Sequence, residues 1–112
     1  MFIWVNSFII RYFTPKTISG ITIYPFIILE NKSLRTDKTF INHEMIHLYQ
    51  QAELLLFFFL LLYYLEFLIL LLKYKNWQHA YRNISFEREA YDNETNYDYL
   101  KTRKWFSFIK YW

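Results

Sequence analysis

The chain has 112 residues, no cysteine and a net charge of +3. That length holds one small domain with one core, and the lack of cysteine excludes a disulfide framework and any thiolate metal site. Hydrophobic residues are 54% and aromatics 24% of the chain, with 11 Tyr and 12 Phe. This argues for an apolar, membrane-interface surface and against a nucleic-acid one.

A single Gly and two Pro leave few breaks, so long regular elements are expected. Residues 1–13 (MFIWVNSFIIRYF) are apolar. They have no basic residue ahead of the apolar stretch and no small-residue cleavage site, so they read not as a signal peptide but as a short interfacial helix or a strand, with helix preferred. Thr14-Pro15-Lys16 is a break. Residues 18–30 (ISGITIYPFIILE) are β-branched and aromatic and read as a strand, with Pro25 requiring an edge or a bend. A polar turn follows at 31–38, in which Thr36 or Asp37 can cap the next helix.

That helix carries His43-Glu44-Met45-Ile46-His47, a His-Glu-x-x-His motif. Four residues apart on a helix, the imidazoles of His43 and His47 project from one face. The spacing suits two nitrogen ligands on one tetrahedral Zn²⁺. Glu44 is placed where a carboxylate reaches a zinc-bound water without being a ligand, the position of a general base. A zinc hydrolase needs a third protein ligand, and Glu87, Glu89 and Asp92 are the downstream candidates. Glu87 and Glu89 point in different directions on a helix, so one of them is expected to face the metal.

Residues 54–72 (LLLFFFLLLYYLEFLILLL) contain one charge, Glu66. By length they could cross a bilayer, with Lys73, Tyr74, Lys75 and Trp77 as an interfacial anchor. A polar connection at 76–83 leads to a helix from Phe86 to about Arg103, capped by Asn83 or Ser85, with acidic residues first and basic ones last. The aromatic, basic tail 104–112 suits a headgroup region. His79, Tyr81, Arg82 and Tyr91 are candidates to stabilise an oxyanion, although structural roles are the more ordinary reading of each.

The motif at 43–47, followed by Glu87-Arg88-Glu89-Ala90, resembles the gluzincin metallopeptidases, whose third ligand is a Glu on a later helix in a Glu-x-x-Ala-Asp-like pattern. The stretch 80–91 also looks like a small bacterial group of membrane-associated HExxH proteins. The resemblance implies a minimal zincin-like domain over 1–112, α+β and mostly α. It assigns His43, His47 and Glu87 as metal residues, Glu44 as the catalytic base and Ala90 as the small residue between helices. The Asp of the pattern falls on Tyr91, leaving Asp92, one step on, as a buttress for a His. It also implies a peptide or protein substrate paired with the strand at 26–30 by β-addition.

Distance constrains this reading. A straight helix over 38–73 would be about 54 Å long, and the residues between it and Glu87 span at most roughly 50 Å. If Glu87 is a ligand, the apolar run is a hairpin broken near 57–61. Glu66 then lies opposite Gln50, Gln51 and Glu53, and each arm is too short to cross a bilayer. The expected function is a zinc-dependent metallopeptidase at the bacterial inner membrane, without nucleic acid, with the apolar segment open to pairing between copies. The alternative is a small non-catalytic membrane protein with a single spanning helix over 54–72 and a structural or fortuitous His pair.

Overall fold

The computed structural model describes residues 2–15 and 17–112. Met1 and Lys16, which belong to the expected N-terminal helix and the break after it, lie outside the described residues. The fold is α+β and mostly helical, around one three-stranded sheet.

Strand β1 (Phe2–Val5) opens the chain, followed by helix α1 (Ser7–Phe13), capped by the Asn6 side chain. The N-terminal stretch is therefore strand and then helix, where a single element, helix in preference to strand, was expected. The run 18–30 is a hairpin, β2 (Gly20–Ile23) and β3 (Phe26–Leu29), with Tyr24 and Pro25 in its turn. Pro25 thus sits where it removes no ladder donor. The strand order is β1-β3-β2, with β1 parallel and β2 antiparallel to β3. Ile27, Ile28 and Leu29 of the central strand are buried. Both edges of β3 are taken, so a peptide cannot add at 26–30 as expected. β2 is the edge strand nearer the motif helix.

A 3₁₀ turn (Lys32–Thr36) leads to helix α2 (Lys38–Tyr74), which Asp37 caps by accepting from the Phe40 amide at 3.0 Å. Straight, this helix would be about 56 Å long, yet the molecule extends only 36 Å along its longest axis. The bend is at Leu55, whose backbone leaves the helix at φ 59° and ψ 147°. It precedes the expected 57–61, which is helical. Glu53 accounts for the placement. Arg103 grips its carboxylate at 2.8 and 2.9 Å, and the Phe106 amide donates to it at 2.8 Å. Four residues beyond the bend, Phe59 is buried against Phe86. Tertiary anchors on both sides set the corner where no Gly or Pro marks it.

After α2 come α3 (Trp77–Arg82), α4 (Ser85–Asn93), the short α5 (Tyr99–Thr102) and a 3₁₀ turn (Ser107–Tyr111). The single helix expected over 86–103 is therefore broken after Asn93. Neither Asn83 nor Ser85 caps α4 with its side chain. Glu66 does so from the second arm of α2, accepting from the Ser85 amide at 2.6 Å and its hydroxyl at 2.8 Å. Glu66 is thus satisfied by α4 and not by Gln50, Gln51 or Glu53.

The first arm of α2 packs between two apolar clusters. Leu48, with Ile41 and Met45, meets Ile27 and Leu29 of the sheet. The second arm meets Ile84, Phe86 and Phe108 through Phe59, Leu62 and Phe67. The motif lies between these clusters, facing α4.

Candidate metal centre

His43 and His47 are buried on the face of α2 that meets α4. Their Nε2 atoms are 3.2 Å apart. Glu87, in the first turn of α4, places Oε1 3.1 Å from His43 Nε2 and 3.2 Å from His47 Nε2. Ala90, one turn further on and fully buried, is the small residue facing inward. Glu89 points away, into a cluster with Gln50, Tyr99 and Arg103. The choice between the two glutamates falls on Glu87.

The back of each ligand is fixed. His43 Nδ1 meets Glu94 Oε2 at 3.1 Å, and His47 Nδ1 meets Gln50 Oε1 at 2.8 Å. These oxygens are acceptors, so each Nδ1 carries the proton and each Nε2 presents a lone pair inward. The Tyr63 hydroxyl donates to Glu87 Oε2 at 2.7 Å, leaving Oε1 for the centre. Three electron-pair donors then face one another. Ligands about 2.0–2.1 Å from a tetrahedral Zn²⁺ lie about 3.3 Å apart, close to the spacing here. The residues fit a divalent cation.

The electrostatics agree. Burial alone pushes the His47 imidazole down, but the Glu87 carboxylate overrides it and raises the pKa to about 9. Burial opposes ionisation of Glu87, yet the positive charge of a protonated His47 holds the carboxyl well below the usual 4.5. Without a cation, a proton on His47 supplies the positive charge the trio requires.

Glu44 is buried beside the trio but outside it. Thr22 of β2 donates to its Oε2 at 2.5 Å. Gly20 makes this approach of β2 possible, since a Cβ there would lie 2.7 Å from the Phe40 ring. Gln51 ties the same strand to α2, donating to the Thr22 carbonyl at 2.7 Å and accepting from the Tyr24 amide at 2.6 Å. A cavity of about 340 Å³ opens over Glu44, His47 and Glu87, walled by β2 and by Phe59, Leu60, Tyr63 and Phe67.

Thr22, Gln50, Tyr63 and Glu94 are supporting residues that sequence reasoning did not assign. The i, i+3 spacing of His47 and Gln50 was the one available signal. Asp92, expected as a buttress, is exposed, and Glu94 takes the role. Of the oxyanion candidates, Tyr81 lines the cavity, and burial, followed by the charge of Glu87, raises its pKa, so it stays a protonated donor. Tyr91 lies edge-on to His43 at 4.4 Å, with the Arg82 guanidinium 3.6 Å over its ring. His79 packs on Tyr74 instead. No protein-family model, no curated protein and no solved structure matches this chain.

Proposed function

We propose that the chain is a zinc-dependent metallopeptidase-like hydrolase working at a membrane surface. The observation that carries the reading is the convergence of Glu87 on His43 and His47, with Glu44 beside the trio at the floor of one cavity. His43, His47 and Glu87 hold the ion. A divalent cation there supplies Lewis acidity, polarising an amide carbonyl and acidifying a water. Thr22 fixes the Glu44 carboxylate. Glu44 takes a proton from the attacking water and passes it to the leaving amine as the C–N bond breaks. One water is consumed, and its oxygen ends in the new carboxyl group. Tyr81 supplies a protonated donor at the cavity wall.

The second arm of α2, residues 56–74, supports the membrane part. Its outer face is exposed apolar surface, including Phe57, Leu61, Leu65, Ile69 and Leu72, and α2 is long and apolar enough to cross a membrane. With the bend at Leu55, the second arm alone is about 28 Å long, longer than the expected hairpin allowed. Its inner face is tied to the start of α4 through Glu66, and a crossing would draw that polar contact into hydrocarbon. The arm lying in one leaflet satisfies both faces.

The test is metal analysis of the purified protein beside His43→Ala and Glu87→Ala. Both variants should lose stoichiometric zinc. Glu44→Gln should keep the metal and lose peptide hydrolysis, and an unchanged cleavage rate would rule out the general base. Full metal binding without hydrolysis of any peptide would instead favour the non-catalytic membrane protein.

A further inference from the structure

The centre lies where two cavities of opposite character meet. The larger, about 340 Å³, runs under the second arm of α2 and is lined by Ile21, Ile23, Phe59, Leu60, Phe67 and Trp77. The smaller, about 160 Å³, lies on the His43 side and is lined by Thr17, Ser19, Gln78, Arg82 and Glu94. Both touch Ile18, Gly20, Glu44 and Tyr81, so Glu44 stands at their junction. Strand β2 and the residues before it run past both, with Thr17–Gly20 at the polar lobe and Gly20–Ile23 at the apolar one. The outer face of the helix that walls the apolar lobe is a large exposed apolar surface, so this lobe is one helix away from an apolar phase that covers that face.

We propose that the substrate is a polypeptide that changes from apolar to polar at the bond that is cut. Resting on the metallopeptidase reading, this names its substrate class as the boundary of a membrane-inserted segment. A bulky apolar side chain fills the lobe under Phe59, Leu60 and Phe67, where burial of apolar area drives binding. The other side of the bond carries polar, preferably acidic, residues that meet Gln78 and Arg82. Arg82 is suited to a carboxylate, since its guanidinium rests 3.6 Å over the Tyr91 ring and the residue is exposed at the polar lobe. A uniformly polar peptide leaves the large lobe unfilled. A uniformly apolar one offers no polar group to Arg82 and Gln78 at the polar lobe.

The experiment uses the full chain, zinc-loaded, in detergent micelles, with four quenched fluorescent peptides of equal length. One runs from Leu/Phe to Glu/Gln, one has the reverse order, one is all apolar and one all polar. Cleavage of one mixed peptide at its junction, with kcat/KM roughly tenfold or more above both uniform peptides, is expected, since a single filled apolar subsite discriminates by that much. Arg82→Glu should transfer the preference from an acidic to a basic polar half, while Arg82→Lys retains it. Equal cleavage of the all-polar peptide, or cuts away from the junction, overturns the proposal and leaves the hydrolase reading intact. Affinities of the same peptides for the zinc-loaded Glu44→Gln variant, by fluorescence anisotropy, separate the two ideas. Tighter binding of a mixed peptide without turnover by the unaltered protein upholds the cleft's selectivity and removes the hydrolase. Equal affinities without turnover overturn both.

Discussion

Both imidazoles present Nε2 to Glu87 because Gln50 and Glu94 occupy their Nδ1 protons. Removing such a buttress loosens the ring and the basicity of the ligand. Glu94→Ala is therefore expected to weaken zinc binding by about 10- to 100-fold, measured by competition with a chromophoric chelator, while Asp92→Ala leaves it unchanged. The proton on His47 has its own consequence. Its pKa of about 9 means that zinc must displace a proton at neutral pH. Apparent zinc affinity should fall about tenfold per pH unit below 9, and a flat profile between pH 7 and 9 would contradict the geometry. The sign for folding of the metal-free protein follows from the same pair. His47 is raised above its usual 6.5, so its contribution is complete below that value and is lost as pH rises through about 9. Glu87 is depressed below 4.5, so its contribution is present above that value and is lost in acid. Thermal unfolding of the metal-free chain should accordingly weaken from pH 7 to 10, and zinc should remove that dependence. The His pair and Glu44 were legible from their spacing. Thr22, Tyr63 and Glu94 were not, because they arrive from β2, the second arm of α2 and the end of α4.

At the scale of elements, the corner of α2 decides the site, since a straight helix would carry the second arm and α4 away from the motif. Leu55 makes this turn at a positive φ that a side chain adopts only under strain, at a cost of about 1–3 kcal/mol. The side chain is largely exposed, so little burial is at stake. Leu55→Gly is therefore expected to stabilise the protein by about 1 kcal/mol in urea unfolding, even though Gly inside a helix normally costs up to about 1 kcal/mol. Destabilisation by that amount would show that residue 55 is helical. Glu66 joins the elements across the corner. Glu66→Ala leaves the buried Ser85 amide without its acceptor and should cost about 1–3 kcal/mol. An unchanged unfolding midpoint would place the cap elsewhere. The residues around the corner read as uninterrupted helix, and neither Leu54 nor Leu56 differs in kind from Leu55. The argument from Glu87 required a bend, but its position depended on Glu53 finding Arg103, fifty residues away in the chain.

Across the whole molecule, exposed apolar residues lie on the outer face of residues 56–74, on β1 and α1 (Phe2, Trp4, Phe8, Tyr12 and Phe13) and on the tail (Trp105, Ile109 and Trp112). A Leu61→Glu, Leu65→Glu, Ile69→Glu variant should lose co-sedimentation with anionic vesicles yet keep its zinc, because none of the three lies in the core clusters or the metal trio. Retained vesicle binding would assign membrane contact to another surface. The sequence by itself determined the pairing of His43 with His47 on one helix face, the position of Glu44 beside them, the mostly helical class and, if Glu87 joins the pair, its need to return. These rest on local spacing and on the maximum reach of a chain, which hold in any fold that makes the helix. Only the tertiary structure decided where α2 turns, that β2 and not β3 lies beside the motif, that Glu89 pairs with Arg103 and points away from the His pair, and that the trio lies between an apolar and a polar lobe. Each of these depends on which distant polar group satisfies a buried one, and no local pattern encodes that choice.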